Sequence, residues 1–282
     1  MSLPTQNADH TIVIKIGGGE GIDPTALTNE IVELTKSGIR VVLVHGGSHE
    51  TNQLAEALGH PTKTIVSPSG NQSRRTDRQT LDIFKMIYCG KVNKTVVEDL
   101  RKAGVDAVGL SGIDAGIWIG TRKSAIRAVE DGRTIVIRDD LSGRVESVDA
   151  DFLNMILASG RVPVLTPPAI TADGIAINVD ADRAAAATAK ALGADELLLL
   201  SNVPGLLRDH TDMGSMIDVV DEERMPEAQE AAKGRMKNKV LAAQEAISGG
   251  VARVTIGSAG GDRPIEHARA GGGTLFIQGV AK

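Results

Sequence analysis

The chain has 282 residues, 41% of them hydrophobic, and a formal net charge of −5 at neutral pH. That balance leaves no global positive field for nucleic acid or a membrane surface, and aromatics at 2% leave base-stacking modules without stacking groups. One cysteine, Cys89, excludes an internal disulfide, lacks Cys or His neighbours at metal-ligand spacing, and reads as a small buried residue in a reducing compartment.

Residues 1–10 are polar and carry no signal-peptide core, and no apolar run approaches the ~18 residues of a membrane span. The expected location is the cytoplasm. Strand and helix patterns then alternate. Thr11–Ile16 reads as a buried strand ending in Gly17-Gly18-Gly19. Residues 24–37 form an amphipathic helix, with Pro24 near its start and Gly38 as its stop. The strand 41–44 runs into His45-Gly46-Gly47-Ser48, and the helix 50–58 closes at Gly59. Residues 62–75 contain Pro68 and Gly70 and predict a hairpin or flap. Helices are predicted over 77–89 and 92–103, and a strand over 107–110.

Residues 113–147 break the alternation with short β runs, which predicts antiparallel hairpins. A helix over 148–159 and a strand over 162–165 follow. Pro167-Pro168 leads into a hairpin around Asp173-Gly174, then an alanine-rich helix over 182–192. A strand over 196–200 ends in the turn Val203-Pro204-Gly205. Helices over 226–233 and Met236–Ser248 and strands over 254–256 and Thr274–Ile277 complete the chain. The pattern is that of an α/β protein with a mainly parallel sheet between helix layers. The chain turns without a helix near 167–173, which divides it into lobes 1–170 and 171–282.

Chemistry concentrates at the ends of these elements. Lys15 lies inside an apolar strand, where a lysine is costly unless an anion faces it. The glycines after it let a phosphate approach the backbone, although alone they could be a tight turn. His45-Gly46-Gly47 offers backbone N–H groups and a helix start, with His45 itself reading as a hydrogen-bonded structural residue. Arg74-Arg75-Thr76-Asp77-Arg78 is either a solvated basic face or a carboxylate clamp. Asn178-Val179-Asp180-Ala181-Asp182 holds more polar groups than one helix cap needs, so one acid is spare for chemistry. Gly234-Arg235-Met236-Lys237-Asn238-Lys239 puts cations at a helix start, against the dipole unless an anion compensates.

These segments, in this order, resemble the amino acid kinase family and its acetylglutamate-kinase branch. The resemblance runs from residue 11 to the strand after Gly273. Within the branch, His45-Gly-Gly-Ser-His-Glu-Thr-Asn, Ser73-Arg-Arg-Thr-Asp-Arg, Tyr88-Cys-Gly-Lys-Val-Asn-Lys, Leu165-Thr-Pro-Pro-Ala and Gly234-Arg-Met-Lys-Asn-Lys-Val are most similar to the [LysW]-aminoadipate kinases of carrier-protein lysine biosynthesis. Acetylglutamate kinases carry Gly-Leu/Met-Arg-Val-Thr where this chain has Gln72-Ser73-Arg74-Arg75-Thr76, which argues against free N-acetylglutamate.

The resemblance implies a three-layer αβα sandwich of the carbamate-kinase-like type. It also implies transfer of the ATP γ-phosphoryl group to a side-chain carboxylate, giving an acyl phosphate. An ionised carboxylate nucleophile needs no general base, so charge neutralisation and positioning carry the catalysis. Lys15 is then expected to stabilise the transferring phosphoryl group, Lys239 the leaving oxygen, and Asp182 to hold both lysines. Gly17, Gly18, Gly46 and Gly47 would present N–H groups, the latter pair near the acceptor. Arg74 and Asn178 would hold the acceptor's α-carboxylate or its amide-linked nitrogen end. Ser201, Asn202, Gly205 and Met236 fall in the ATP-binding segments of the second lobe, and the first lobe would hold the acceptor and the dimer contact. Mg²⁺ is expected on the ATP phosphates with no dedicated metal site. The implied partners are a small acidic amino-group carrier protein, docked by Arg75, Arg78 and Lys63, and a second copy of the chain. The short segment before the first strand implies a dimer without the N-terminal helix that joins some arginine-inhibited relatives into hexamers. The alternatives are a glutamate or acetylglutamate kinase of arginine synthesis and a non-catalytic amino-acid sensor.

Overall fold

The computed structural model describes residues 10–68, 70, 72–130 and 132–279; the expectations drawn from residues 1–9 lie outside them. In chain order, β1 (Thr11–Ile16), α1 (Thr28–Lys36), β2 (Arg40–His45) and α2 (Ser48–Ala57) open the molecule. The hairpin β3 (Thr64–Val66) and β4 (Gln72–Arg74) leads to α3 (Arg78–Lys85), a π-helical turn at Met86–Val92 and α4 (Asn93–Lys102). Next come β5 (Ala107–Ser111), β6 (Trp118–Arg122), β7 (Ile126–Glu130), β8 (Arg133–Ile137), β9 (Gly143–Val148) and α5 (Ala150–Ala158). The remainder is β10 (Val162–Thr166), β11 (Ala169–Thr171), β12 (Ala176–Ile177), α6 (Ala181–Leu192), β13 (Glu196–Ser201), β14 (Val219–Val220), α7 (Met225–Ala231), α8 (Met236–Ser248), β15 (Arg253–Ser258), α9 (Pro264–Arg269) and β16 (Thr274–Ile277).

An 8-stranded sheet runs in the order β14-β16-β15-β13-β1-β2-β10-β5 and is parallel except at β15–β16. Both faces are covered, so its strands read as continuous apolar runs. Alternation along each strand sorts the core. Val13, Leu197 and Leu199 pack under α5, α6, α7 and α8. Ile12, Ile14, Ile16, Leu198 and Leu200 pack under α1, α3, α4 and α9. This is the three-layer αβα sandwich. Residues 1–170 and 171–282 feed the same sheet, with the seam where β1 pairs with β13. With few aromatics, the core is aliphatic. The single tryptophan, Trp118, is fully buried, and its Nε1 donates to Thr188 Oγ1 at 3.0 Å.

The antiparallel expectations hold as β6–β9, β7–β8 and β11–β12. Other elements differ from the sequence reading. The start of the first helix is a 3-10 turn over Pro24–Leu27. The helices expected over 77–89 and 92–103 form one run, because the π-turn absorbs Gly90 instead of breaking there. The short strand β14 carries too few residues to show a period.

The N-terminal end of the sheet, opposite the glycine loops, is locked by Glu196. Its buried carboxylate accepts from Arg269 Nη2 at 2.9 Å and lies 2.9 Å from His10 Nε2. Burial pushes Glu196 up, but Arg269 and His10 overcome this and hold it below the ordinary glutamate value. A depressed carboxylate contributes stability above its unfolded pKa and loses it as pH falls through the folded one. Arg269→Ala should therefore cost about 2 kcal/mol at neutral pH, less than a fully buried pair because the arginine is partly solvated. Urea unfolding should show that deficit shrinking in acid.

Candidate active site

Lys15 shares the parity of Val13, so its side chain leaves β1 on the face covered by α6 and α8. It is 6% exposed, and its Nζ lies 2.6 Å from Asp182 Oδ1. Lys239, in the first turns of α8, donates to both Asp182 oxygens at 3.1 Å. Alanines make this convergence possible. Ala184, Ala185, Ala186 and Ala189 of α6 and Ala242, Ala243 and Ala246 of α8 are fully buried, so the helices approach closely with both N-termini at the end of β1.

The acids in the motif divide their work as expected. Asp180 caps α6, accepting from the Arg183 amide at 3.0 Å and from Asn238 Nδ2 at 2.8 Å. Asp182 is free of the cap and faces the lysines. Burial pushes Asp182 up, but Lys15 and Lys239 pull it well below the usual carboxylate range. Burial would lower Lys15 too, yet Asp182 leaves it above the ordinary lysine value. Lys239 stays below that value, because burial and the charge of Lys15 outweigh Asp182. Burial and the Asp182 charge push Asp180 up.

The glycine loops meet beside this triad. A Cβ on Gly18 would lie 2.1 Å from Gly47 N, so no side chain fits there. Ser48 Oγ and the His49 amide both donate to Gly18 O at 2.8 Å, stitching the loops together. The amides of the glycines are not equivalent. Gly17 donates to Leu200 O and Gly46 to Ile16 O, whereas the Gly18 amide has no protein acceptor among the described residues. His45 is structural: Nδ1 lies 3.0 Å from Gly46 O and Asn93 Nδ2 3.0 Å from Nε2, and burial lowers its pKa to about 4.

Arg74 reaches the cleft from β4, donating to Asn52 Oδ1 at 2.7 Å and Ser48 O at 3.1 Å. Asn178 donates from Nδ2 to Thr76 Oγ1 at 2.9 Å, leaving its amide oxygen as an acceptor. Ser201 is 4% exposed at the end of β13, and its Oγ is buried without a partner. Asn202 is exposed, and Met236 packs against the core under α8. Gly205 is buried, where a Cβ would meet Thr274 Oγ1 at 2.8 Å; its lack of a side chain serves close packing. In the expected basic rim Arg75 binds Asp139 at 2.7 Å and Arg78 binds Asp82 at 2.8 Å, and Lys63 has no ion pair among the described residues. Asp139 comes from the 113–147 insertion, which sequence spacing could not pair with Arg75.

The sequence reading passed over Tyr88. It lies on the π-turn, stacked on Phe84 with centroids 3.7 Å apart, and its ring edge would meet a Cβ on Gly47 at 3.1 Å. Burial pushes the hydroxyl up against the pull of Arg74, the Gly47 amide and Lys15. π-Turns concentrate at functional sites; the usable signal was a lone tyrosine beside a glycine that failed to end its helix.

A family model described as the amino acid kinase family matches residues 10–258. The chain belongs to that family. It is 53% identical to a [LysW]-aminoadipate kinase of Deinococcus radiodurans over 264 residues, covering 94% of this chain and 90% of that relative. It is 48% identical to a [LysW]-aminoadipate kinase of Thermus thermophilus, covering 94% and 99%. Its fold matches N-acetylglutamate synthase from Neisseria gonorrhoeae complexed with coenzyme A and N-acetyl-glutamate. The TM-score is 0.77 at 25% identity, over 97% of this chain and 60% of that one.

Asp182→Asn keeps the shape of the family member's ion triad and removes the charge that allows two buried ammonium groups to coexist. We expect a loss of roughly 3–5 kcal/mol in denaturant unfolding. A loss below 1 kcal/mol would mean that the lysines do not depend on Asp182.

Proposed function

We propose that the chain transfers the γ-phosphoryl group of ATP to the side-chain carboxylate of 2-aminoadipate. The acceptor hangs through its α-amino group from a small acidic carrier protein, in lysine biosynthesis. The observation that carries this is the Lys15–Asp182–Lys239 triad, set where the two glycine loops touch. An acceptor carboxylate oxygen forms a bond to the γ-phosphorus, the bond to the β,γ-bridging oxygen breaks, and ADP leaves. No proton needs to move, which suits a site whose one buried imidazole is neutral and hydrogen-bonded. Lys15 and Lys239 share Asp182, with the capping Asp180 carboxylate near both, and their ammonium groups are the cations that phosphoryl oxygens would meet. Lys15 serves the transferring group and Lys239 the leaving oxygen, with Asp182 aligning both.

The Gly18 amide, without a protein acceptor among the described residues, is offered to the ATP phosphates and the start of α2 to the acceptor, while Gly17 and Gly46 shape the loops. Gly47 lets the loops meet and turns its amide toward Tyr88. Arg74 takes the acceptor's α-carboxylate. Asn178, with its amino group on Thr76, offers only an oxygen, which suits the N–H of an amide-linked α-nitrogen. Residues 171–282 bind ATP, with the unpartnered Ser201 hydroxyl and exposed Asn202 as polar contacts and Gly205 and Met236 supporting them. Residues 1–170 bind the acceptor. Mg²⁺ would arrive on the ATP phosphates, as suits a cation that keeps several waters and needs few protein ligands. No described helix is long and apolar enough to cross a membrane.

Identity near 50% to the aminoadipate kinases favours that acceptor over glutamate, from which it differs by one methylene, a difference of about 1–3 kcal/mol. The acceptors should separate in a hydroxylamine trap for acyl phosphate, with carrier-linked aminoadipate ahead of carrier-linked glutamate and free N-acetylglutamate. Lys15→Ala should lower turnover by roughly 10²–10³-fold. Higher turnover on free N-acetylglutamate would overturn the acceptor, and an unimpaired Lys15→Ala the mechanism. The same reading includes a homodimer, with β5 available as a sheet edge. Light scattering should give the mass of two chains; a monomer or a hexamer would refute it.

A further inference from the structure

The 113–147 segment meets the Thr76 and Asn178 segments along residues 139–143, where Leu141 and Gly143 bond through their backbones and Asp140 through its side chain. Asp140 is 1% exposed and makes no ion pair among the described residues. Its Oδ2 accepts from the Thr76 amide at 2.8 Å and its Oδ1 from the Ser142 amide at 2.7 Å. Two backbone donors claim two oxygens, a demand that carboxylate meets and carboxamide does not. An unpaired charge at this depth is costly, and nothing in the sheet requires it.

The bonds around it form a seam. Leu141 N donates to Thr76 O at 2.7 Å, and Asn178 N to Leu141 O at 2.8 Å. Thr76 is fully buried; its hydroxyl accepts from Asn178 Nδ2 and donates to Arg74 O. Arg74 and Asn178 are 104 positions apart in sequence and belong to different lobes. Asp140 holds the Thr76 segment between them.

We infer that Asp140 is a positioning residue for the acceptor: through Thr76 it fixes the relative placement of Arg74 and Asn178, and so the distance over which the site reads the acceptor's α-substituents. The inference rests on the kinase reading above. It assigns the 113–147 segment a part in acceptor recognition and none in nucleotide binding, because no bond of the seam touches Ser201 or Lys239 and its one link to a glycine loop, Arg74 Nη2 to Ser48 O, is on the His45–Ser48 side proposed for the acceptor.

Steady-state kinetics with carrier-linked aminoadipate and ATP separate these roles. Asp140→Asn and Thr76→Val should each raise the acceptor KM by about tenfold, short of the hundredfold that a misplacement of ~1 Å can cost. The ATP KM should stay within about twofold of wild type, and Thr76→Ser, which restores the hydroxyl, should recover the acceptor KM. Thr76→Val keeps shape, burial and the amide bond to Asp140, so it tests the hydroxyl link to Arg74 and Asn178. If Asp140→Asn does not fold, Asp140→Glu, which displaces the two carboxylate oxygens, takes its place, and an unchanged acceptor KM there overturns the inference. Equal movement of both KM values, or of neither, overturns the inference, as does failure of Thr76→Ser to rescue. Should the wild type form no acyl phosphate, the kinase reading fails. Calorimetric titration of carrier-linked aminoadipate then decides the seam: weaker binding to Thr76→Val supports it and equal binding refutes it.

Discussion

A carboxylate shared by two buried lysines is the constraint on which the rest of this molecule depends. Neither Lys15 nor Lys239 could stay charged under the helix layer without Asp182. Asp182 can serve both only if a strand and two helix N-termini converge within hydrogen-bond reach. The alanines of α6 and α8 permit that approach, and the Asp180 cap, tied to Asn238, joins the two helix starts. The two ammonium groups lie at the carboxyl ends of β1, β2 and β13, where open parallel sheets expose their loops.

Around that centre the proposed site residues are unequal in how they are held. Lys15 leaves the central strand β1, and Asp182 and Lys239 leave the two helices packed on it. The residues proposed for the acceptor are placed differently. Arg74 comes from a short hairpin, and Asn178 from the segment before α6. Both depend on bonds to Thr76 and, through it, to the insertion. This division suits a reaction in which the phosphoryl path is common to a family while the acceptor varies.

Much of this was legible in sequence for stated reasons. Lys15 in an apolar strand required a buried anion. Too many acids before the alanine run implied that one was not a cap. His45 read as structural, and it is. Other features were not legible, because they depend on contacts that spacing does not encode. Gly90 looked like a stop, but a π-turn absorbed it and aimed Tyr88 at the site. Arg75 and Arg78 show no partner in sequence, and the fold pairs them with Asp139 and Asp82. The glycines looked equivalent until the amides of Gly17 and Gly46 were found closing the loops on neighbouring strands.

By itself, then, the amino-acid order determined which groups must be neutralised and which loops could carry phosphate. Burial of charge and glycine's lack of a side chain are local costs, readable wherever they occur. Tertiary structure alone decided which acid meets which cation, which amides remain free, and that the irregular 113–147 segment bonds to Thr76 and Asn178. Those outcomes depend on the directions in which side chains leave packed elements far apart in the chain.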